Sequence, residues 1–267
     1  MNYVDISSVE NQAVKFAVKL KNSARERRDN GLFVAEGLRL CSDASKHGIA
    51  ADTVFFTNQF ENEHGKILGS ICSGCGKNYR VTESVMKKLC DTVNPQGVLT
   101  LFEKPHWQKI SVTNGLYVAL QNIADPSNLG AVARSAEAFG AKGLLLSDGC
   151  CDPYSPKSLR AGMGALLRLP VFETSNFVDT LMQLRCGGME LYAAVVNRKA
   201  DDIRSVKAAG GSVLLIGNEA NGLTDDVIDV CSHRVTIPMA GRAESLNASA
   251  AAAVLIWEML KGCAEKL

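Results

Sequence analysis

Residues 116–148, LYVALQNIADPSNLGAVARSAEAFGAKGLLLSD, decide the fold. LYVALQNI (116–123) is a nearly continuous apolar run, as expected of a strand buried on both faces of a parallel sheet. ADPSN turns the chain, and LGAVARSAEAFG follows as a helix that Ser127 or Asn128 can cap and Gly140 can stop. GLLLSD is the next strand. Further on, ALLRLPVF, LYAAVV and VLLIG (213–217) read as more strands. Strands alternating with helices predict an α/β fold whose parallel sheet is covered on both faces. The first strand runs into ADPSNLG and not into a G-x-G-x-x-G turn. A nucleoside cofactor would therefore bind elsewhere than at the Rossmann position.

Working outward, the segment EKPHWQKISVTNG (103–115) carries a Pro, polar residues and a closing Asn-Gly, and predicts a linker. It separates a domain over 1–105 from one over 116–267. The first is a smaller α/β module. Its pattern predicts a basic helix around 9–27, a second helix in FVAEGLRLCSDASKHG opening near Glu36, and a strand TVFFT. A helix TESVMKKLCD capped by Thr82 and a strand VLTLF follow. There is no internal repeat.

Composition places the chain among ordinary globular proteins. Of its 267 residues, 46% are hydrophobic and 21% charged, enough for a sizeable core. No stretch reaches the ~18 apolar residues of a membrane span, and MNYVDISSVENQAVKF lacks the order of a secretory signal. The nine cysteines are odd in number and point to reduced thiols, hence to a cytoplasmic protein. The net charge of +1 decides nothing, but its distribution is uneven. Lys15, Lys19, Lys21, Arg25, Arg27 and Arg28 crowd one stretch against only Glu26 and Asp29. That is a phosphate-facing patch or a solvated helix face, and charge alone leaves both open. Cys72 and Cys75 form a C-x-x-C without the second pair a zinc site needs. The four histidines are scattered.

Three segments of the second half have the composition of loops that work at strand ends, where parallel sheets gather ligands. NIADPSNLGAVARSAEAFGA places Asn128 at the mouth of a helix and Arg134 and Glu137 farther along it; a capped helix with an exposed Arg–Glu pair would look the same. In LLIGNEANGL a buried strand meets Gly217, then Asn218 and Glu219, then Gly222; an ordinary turn into TDDVIDVC, capped by Thr224, would also fit. In VTIPMAGRAESLNASAAAAVLIWEML a strand ends at Pro238 and a small-residue helix begins near Asn247. Ala248 and Ala250 to Ala253 allow close packing on the domain or on a partner subunit.

Together and in this order, DPSNLGAVARSAEAFGA, LLIGNEANGL and IPMAGRAESLNASAAAA resemble the SpoU/TrmH methyltransferases of the SPOUT superfamily. RAGMGALLRLPVF (160–172) is similar to the stretch between that family's first two motifs. LFVAEGLRL and LCDTVNPQGVLTLF resemble the ribosomal-protein-like substrate-binding domain that often precedes it. The resemblance implies a trefoil-knotted parallel-sheet domain, a homodimer, and S-adenosylmethionine held by backbone around Gly217, Ile237 and Leu246. It also implies catalytic roles for Asn128, Arg134, Glu219, Ser245 and Asn247. Asn218 stands where the family often has Ser or Thr, a departure expected to matter little. The basic residues from Lys15 to Arg28 would then recruit RNA.

The implied reaction is methylation of a ribose 2′-hydroxyl, the group that distinguishes RNA from DNA. It needs in-line positioning and help with the hydroxyl proton. Arg134 resembles the family's proposed base. A guanidinium holds its proton, so a cation stabilising the developing alkoxide is the alternative. The two-domain layout favours ribosomal over transfer RNA. The competing readings are a catalytically silent RNA-binding factor of the same fold and a base methyltransferase of the wider superfamily, which would lack the SLN string.

Overall fold

The computed structural model describes residues 2–108, 110, 115–197, 199–206, 210–242 and 245–261. In chain order the first half forms β1 (Val4–Ile6), α1 (Gln12–Asn22), α2 (Ala24–Asn30), β2 (Leu32–Glu36), α3 (Leu38–Lys46), β3 (Ala51–Phe56), α4 (Asn58–Ile71), β4 (Lys77–Val81), α5 (Glu83–Leu89) and β5 (Val98–Glu103). The second half forms β6 (Gly115–Leu120), α6 (Pro126–Phe139), β7 (Gly143–Ser147), α7 (Pro156–Gly162), α8 (Ala165–Arg168), β8 (Val171–Thr174), α9 (Phe177–Cys186), β9 (Glu190–Ala194), β10 (Asp201–Asp202), β11 (Gly211–Ile216), α10 (Asp225–Asp229), β12 (His233–Thr236) and α11 (Ala248–Leu260).

The chain divides into two units, Met1–His106 with Tyr154–Leu167, and Trp107–Pro153 with Arg168–Leu267. The first is built on a mixed five-stranded sheet in the order β1-β4-β3-β5-β2, antiparallel only where β5 pairs with β2 and β3. Phe55, Leu99, Leu101 and Val34 of the sheet pack with Val14, Leu20, Met86 and Leu89 of the helices in one buried cluster. The basic helix expected over 9–27 is two helices. Ser23 breaks it, adopting extended backbone (φ −129°) and accepting the Glu26 N–H as the cap of α2. The helix expected to open near Glu36 does so two residues on, and LFVAE just before it is the strand β2 paired with β5. The helix starts beyond Gly37. A short apolar run reads equally as either element until its partner is known. Thr82 caps α5 as expected, accepting the Val85 N–H. Tyr154–Leu167, expected within the second domain, belongs to the first unit. There Tyr154 lies 5.6 Å from Phe33, ring centre to ring centre.

The second unit is built on seven strands in the order β10-β12-β9-β11-β6-β7-β8, every pairing parallel. The central strands are buried along nearly their whole length, which explains their unbroken apolar runs. Of ALLRLPVF only Val171 and Phe172 lie in the expected strand. Ala165–Arg168 is helical, and β8 begins at Val171 after Pro170. Asp125, not Ser127 or Asn128, caps α6; it accepts the Ser127 N–H at 3.0 Å, with Pro126 in the first turn where its missing N–H costs nothing. Gly140 ends α6 in the left-handed conformation, as expected.

Candidate active site

The carboxyl ends of β6 and β11 and the start of α11 bring three of the expected residues together. The Asn128 amide Nδ2 donates to Glu219 Oε1, and Asn247 Nδ2 donates to Asn128 Oδ1 at 3.1 Å. A carboxylate can only accept, so Asn128 must turn its NH2 toward Glu219 and its oxygen toward Asn247. Asn247 is also the cap of α11, its Oδ1 accepting from Ser249 N (2.9 Å) and Ser249 Oγ (2.6 Å). One chain of hydrogen bonds therefore links a helix start to residues 119 positions before it in sequence.

Local folding explains how Glu219 reaches this place. β11 ends at Ile216, and the chain doubles back so tightly that a Cβ on Gly217 would collide with the backbone of Gly222 and Leu223. The missing side chain thus makes room for the turn's own return. Asn218 O accepts from Gly222 N at 2.8 Å, closing the turn, and Gly222 adopts φ +70°. The exit is held by a reciprocal pair. Gln121 Nε2 donates to Thr224 Oγ1 at 2.8 Å, and Thr224 N donates to Gln121 Oε1 at 3.0 Å. The Thr224 hydroxyl, expected to cap α10, makes no capping bond and is used in this pair.

Arg134 is not part of the cluster. It lies on the exposed face of α6, about 9 Å along the axis and a third of a turn around from Asn128. Among the described residues its guanidinium has no ion-pair partner. The Arg–Glu pair that the alternative reading of this helix allowed does not form; Glu137 bonds Arg168 at 2.9 Å. Ser245 and Leu246 are exposed, and Ile237 is half-buried. Leu246 and Met239 leave apolar surface open beside this strand end. Main-chain groups with apolar side chains suit the face of a nucleoside. Residues 243 and 244 of this loop lie outside the described residues.

The basic stretch sorts differently from its expectation. Arg27 is buried, its Nη1 donating to Leu20 O at 2.6 Å and Lys21 O at 2.8 Å. Lys21 is nearly covered, bonded to Cys90 O at 3.2 Å and paired with Asp91 at 3.0 Å. These two hold α1, α2 and the end of α5 together and cannot face RNA, because their charges are spent on internal partners. Lys15 and Lys19 are exposed but paired with Glu10 and Glu26. Arg25 pairs with Asp29, and Arg28 is exposed. Sequence reasoning also passes over Gln121, Asn122 and Ser147. Their only signal is the concentration of amides and hydroxyls just past strand ends.

Residues 115–257 match the SpoU rRNA Methylase family model, and residues 11–100 match the MRM3-like substrate binding domain. The chain belongs to the SpoU rRNA methylase family. A tRNA/rRNA methyltransferase of Synechocystis, itself uncharacterized, is 30% identical over 95% of this chain and 92% of its own. The 23S rRNA (guanosine(2553)-2′-O)-methyltransferase RlmP of Bacillus subtilis is 26% identical over 95% and 98%. The AdoMet-bound rRNA methyltransferase structure from Sinorhizobium meliloti superposes with a TM-score of 0.86 at 29% identity, covering 96% of this chain and 97% of that one. The protein is thus an S-adenosylmethionine-dependent RNA methyltransferase with a SPOUT-type catalytic half and a smaller N-terminal domain. No helix among the described residues is long and apolar enough to cross a membrane.

Proposed function

We propose that the protein methylates one ribose 2′-hydroxyl of ribosomal RNA, working as a cytoplasmic homodimer. The observation that carries this reading is the hydrogen-bonded cluster of Asn128, Glu219 and Asn247 at the strand ends. S-adenosylmethionine, when bound, supplies a sulfonium methyl group whose loss leaves a neutral thioether. Backbone around Gly217, Ile237 and Leu246 would hold it. The chain's remaining tasks are to orient the hydroxyl, keep water out and compensate the departing proton. Glu219 keeps one carboxylate oxygen beyond its bond to Asn128, and Asn128 and Asn247 each keep an N–H. These groups fit the hydroxyls of a ribose. Arg134 serves as the cation that grips the neighbouring phosphate and stabilises developing alkoxide, with Ser245 assisting at the phosphate. On the substrate side, Lys15, Lys19, Arg25 and Arg28 remain as exposed basic side chains for RNA.

Support for the dimer comes from α11. Ala250, Val254 and Trp257 recur at helical spacing on its exposed face, with Val254 40% and Trp257 50% exposed. A helix apolar on every side is normally covered on every side. Trp257 also touches Phe139 of α6, ring centres 5.3 Å apart, so a second copy seated there would abut the helix that carries Arg134. Eight described cysteines are free thiols, as a reducing compartment keeps them.

Mapping 2′-O-methyl groups in total RNA with and without the gene tests the reading. One ribosomal nucleotide should lose its methyl group and regain it with purified protein. A site in transfer RNA, or none, would overturn it. Arg134→Ala should slow transfer by at least ~100-fold. Arg134→Lys should stay largely active if charge alone is required.

A further inference from the structure

We propose that Asn218 is a positioning residue for methyl transfer: its side-chain amide clamps the turn that carries Glu219 to the loop that leads into α6, the helix that carries Asn128. The proposal rests on the functional reading above. Asn218 works in two directions at once. Its Oδ1 accepts from Ala220 N at 2.8 Å and Asn221 N at 3.3 Å, which shapes the turn. Its Nδ2 donates across the strand ends to Asn122 O at 2.9 Å.

The receiving carbonyl is itself held in place. Asn122 has φ +57°, and among described non-glycine residues only Met163 also has a positive φ. Asparagine is one of the few residues that tolerate that conformation. Ser147, at the end of β7, secures it from the other side. Its Oγ accepts from Asn122 N at 2.9 Å and donates to Asn122 Oδ1 at 3.1 Å. The clamp therefore runs from β7 through Asn122 to Asn218, one residue before Glu219. Asn122 in turn lies at the head of the loop that leads to Asn128. Residues 128 and 219 are 91 positions apart, and this tie fixes the separation of the two segments that bear them.

Only an amide can perform both tasks. Serine can accept from the N–H two residues on, but it has no second polar atom to reach Asn122. Aspartate keeps the acceptor and would set an oxygen against the Asn122 carbonyl. Asn218, standing where the family often has Ser or Thr, thus supplies a bond that a hydroxyl residue in its place could not. Loss of the clamp should also leave the fold intact, because the reciprocal Gln121–Thr224 pair holds the turn's exit independently.

The test uses Asn218→Asp and Asn218→Ser, each in the parent and in an Asn128→Ala background, with kcat, KM for RNA and cofactor affinity measured separately. In the parent, Asn218→Asp should lower kcat by about tenfold or more. KM and cofactor affinity should stay within about threefold, and Asn218→Ser should fall between the two. In the Asn128→Ala background the same change should alter kcat by less than about twofold, since coupled residues are not additive. A purely structural role would instead lower activity equally in both backgrounds. Equal losses, or a parental kcat in both variants, would overturn the proposal. A crystal structure of Asn218→Ser supplies the second readout, where the Asn128–Glu219 bond should be lost or lengthened and an unchanged bond refutes the clamp. Should the parent transfer no methyl group to RNA, the functional reading fails, and the structure still decides the clamp.

Discussion

Replacing Gly217 with alanine adds one carbon atom at the most confined point of the candidate site. That carbon would lie within 3.0 Å of three backbone atoms, Gly222 C, Gly222 O and Leu223 N. Backbone cannot swing aside as a flexible side chain can, so moving Gly222 C from 2.1 Å to ordinary contact at 3.4 Å requires the two arms of the turn to part by at least 1.3 Å (3.4 − 2.1). The closing bond from Gly222 N to Asn218 O, now 2.8 Å, would then stretch beyond a useful length. Overpacking of this kind costs about 1–3 kcal/mol, which the protein survives. Misplacement by about 1 Å at a reacting centre costs on the order of 100-fold in rate. Gly217→Ala should therefore be folded, melt slightly lower, and transfer methyl groups at about 1% of the parent rate or less. Single-turnover transfer from radiolabelled cofactor, run beside thermal unfolding, measures both. A variant with the parent's rate would show that the tight turn does not govern the placement of Glu219.

Arg27→Ala should remove a structural tie and lower stability by about 2 kcal/mol while the folded variant keeps its RNA affinity; Arg28→Ala should do the reverse. Finding that Arg27→Ala melts like the parent yet binds RNA poorly would return Arg27 to the RNA-facing set. Trp257→Glu puts a charge on the apolar stripe of α11 and should give a monomer by light scattering; an undiminished dimer would place the interface elsewhere. Burial pushes the thiols of Cys41, Cys72 and Cys231 up to about 12. At pH 8 only about 1 in 10,000 of each is thiolate, so alkylation should reach exposed Cys186 first and quicken at the others as pH rises. Labelling of Cys72 as fast as Cys186, followed by mass spectrometry, would contradict the burial.

The parallel sheet is legible because burial on both faces leaves a local mark, the unbroken apolar runs of β6, β7 and β11. β2 lacks such a mark. LFVAE becomes a strand only through pairing with residues that begin at Leu99, 63 positions after Glu36, and no window of sequence displays that. The cap of α6 is a subtler case. Ser127 and Asn128 are good capping residues, but Pro126 is best placed just inside a helix start, which moves the cap back to Asp125. At the site, residue types at strand ends point to Asn128, Glu219 and Asn247. That they touch is a fact of topology. The left-handed Asn122 and its grip by Ser147 have no local signature at all. The charge count over 11–30 misleads for a related reason, since it cannot tell a guanidinium in solvent from one capping carbonyls inside.

Tyr154–Leu167 is made long after the rest of its unit, with catalytic-half strands on either side of it in the chain. A ribosome adds about 5–20 residues per second, so residues 1–106 wait several seconds for this last piece. Until it arrives, Phe33 lacks the ring of Tyr154, and Glu36 and Asp91 lack the guanidinium of Arg160, which in the finished protein lies 4.0 and 3.6 Å from them. These contacts of the N-terminal half therefore form only after β6 and β7 have been made, so its last interactions are supplied by chain that follows part of the catalytic half.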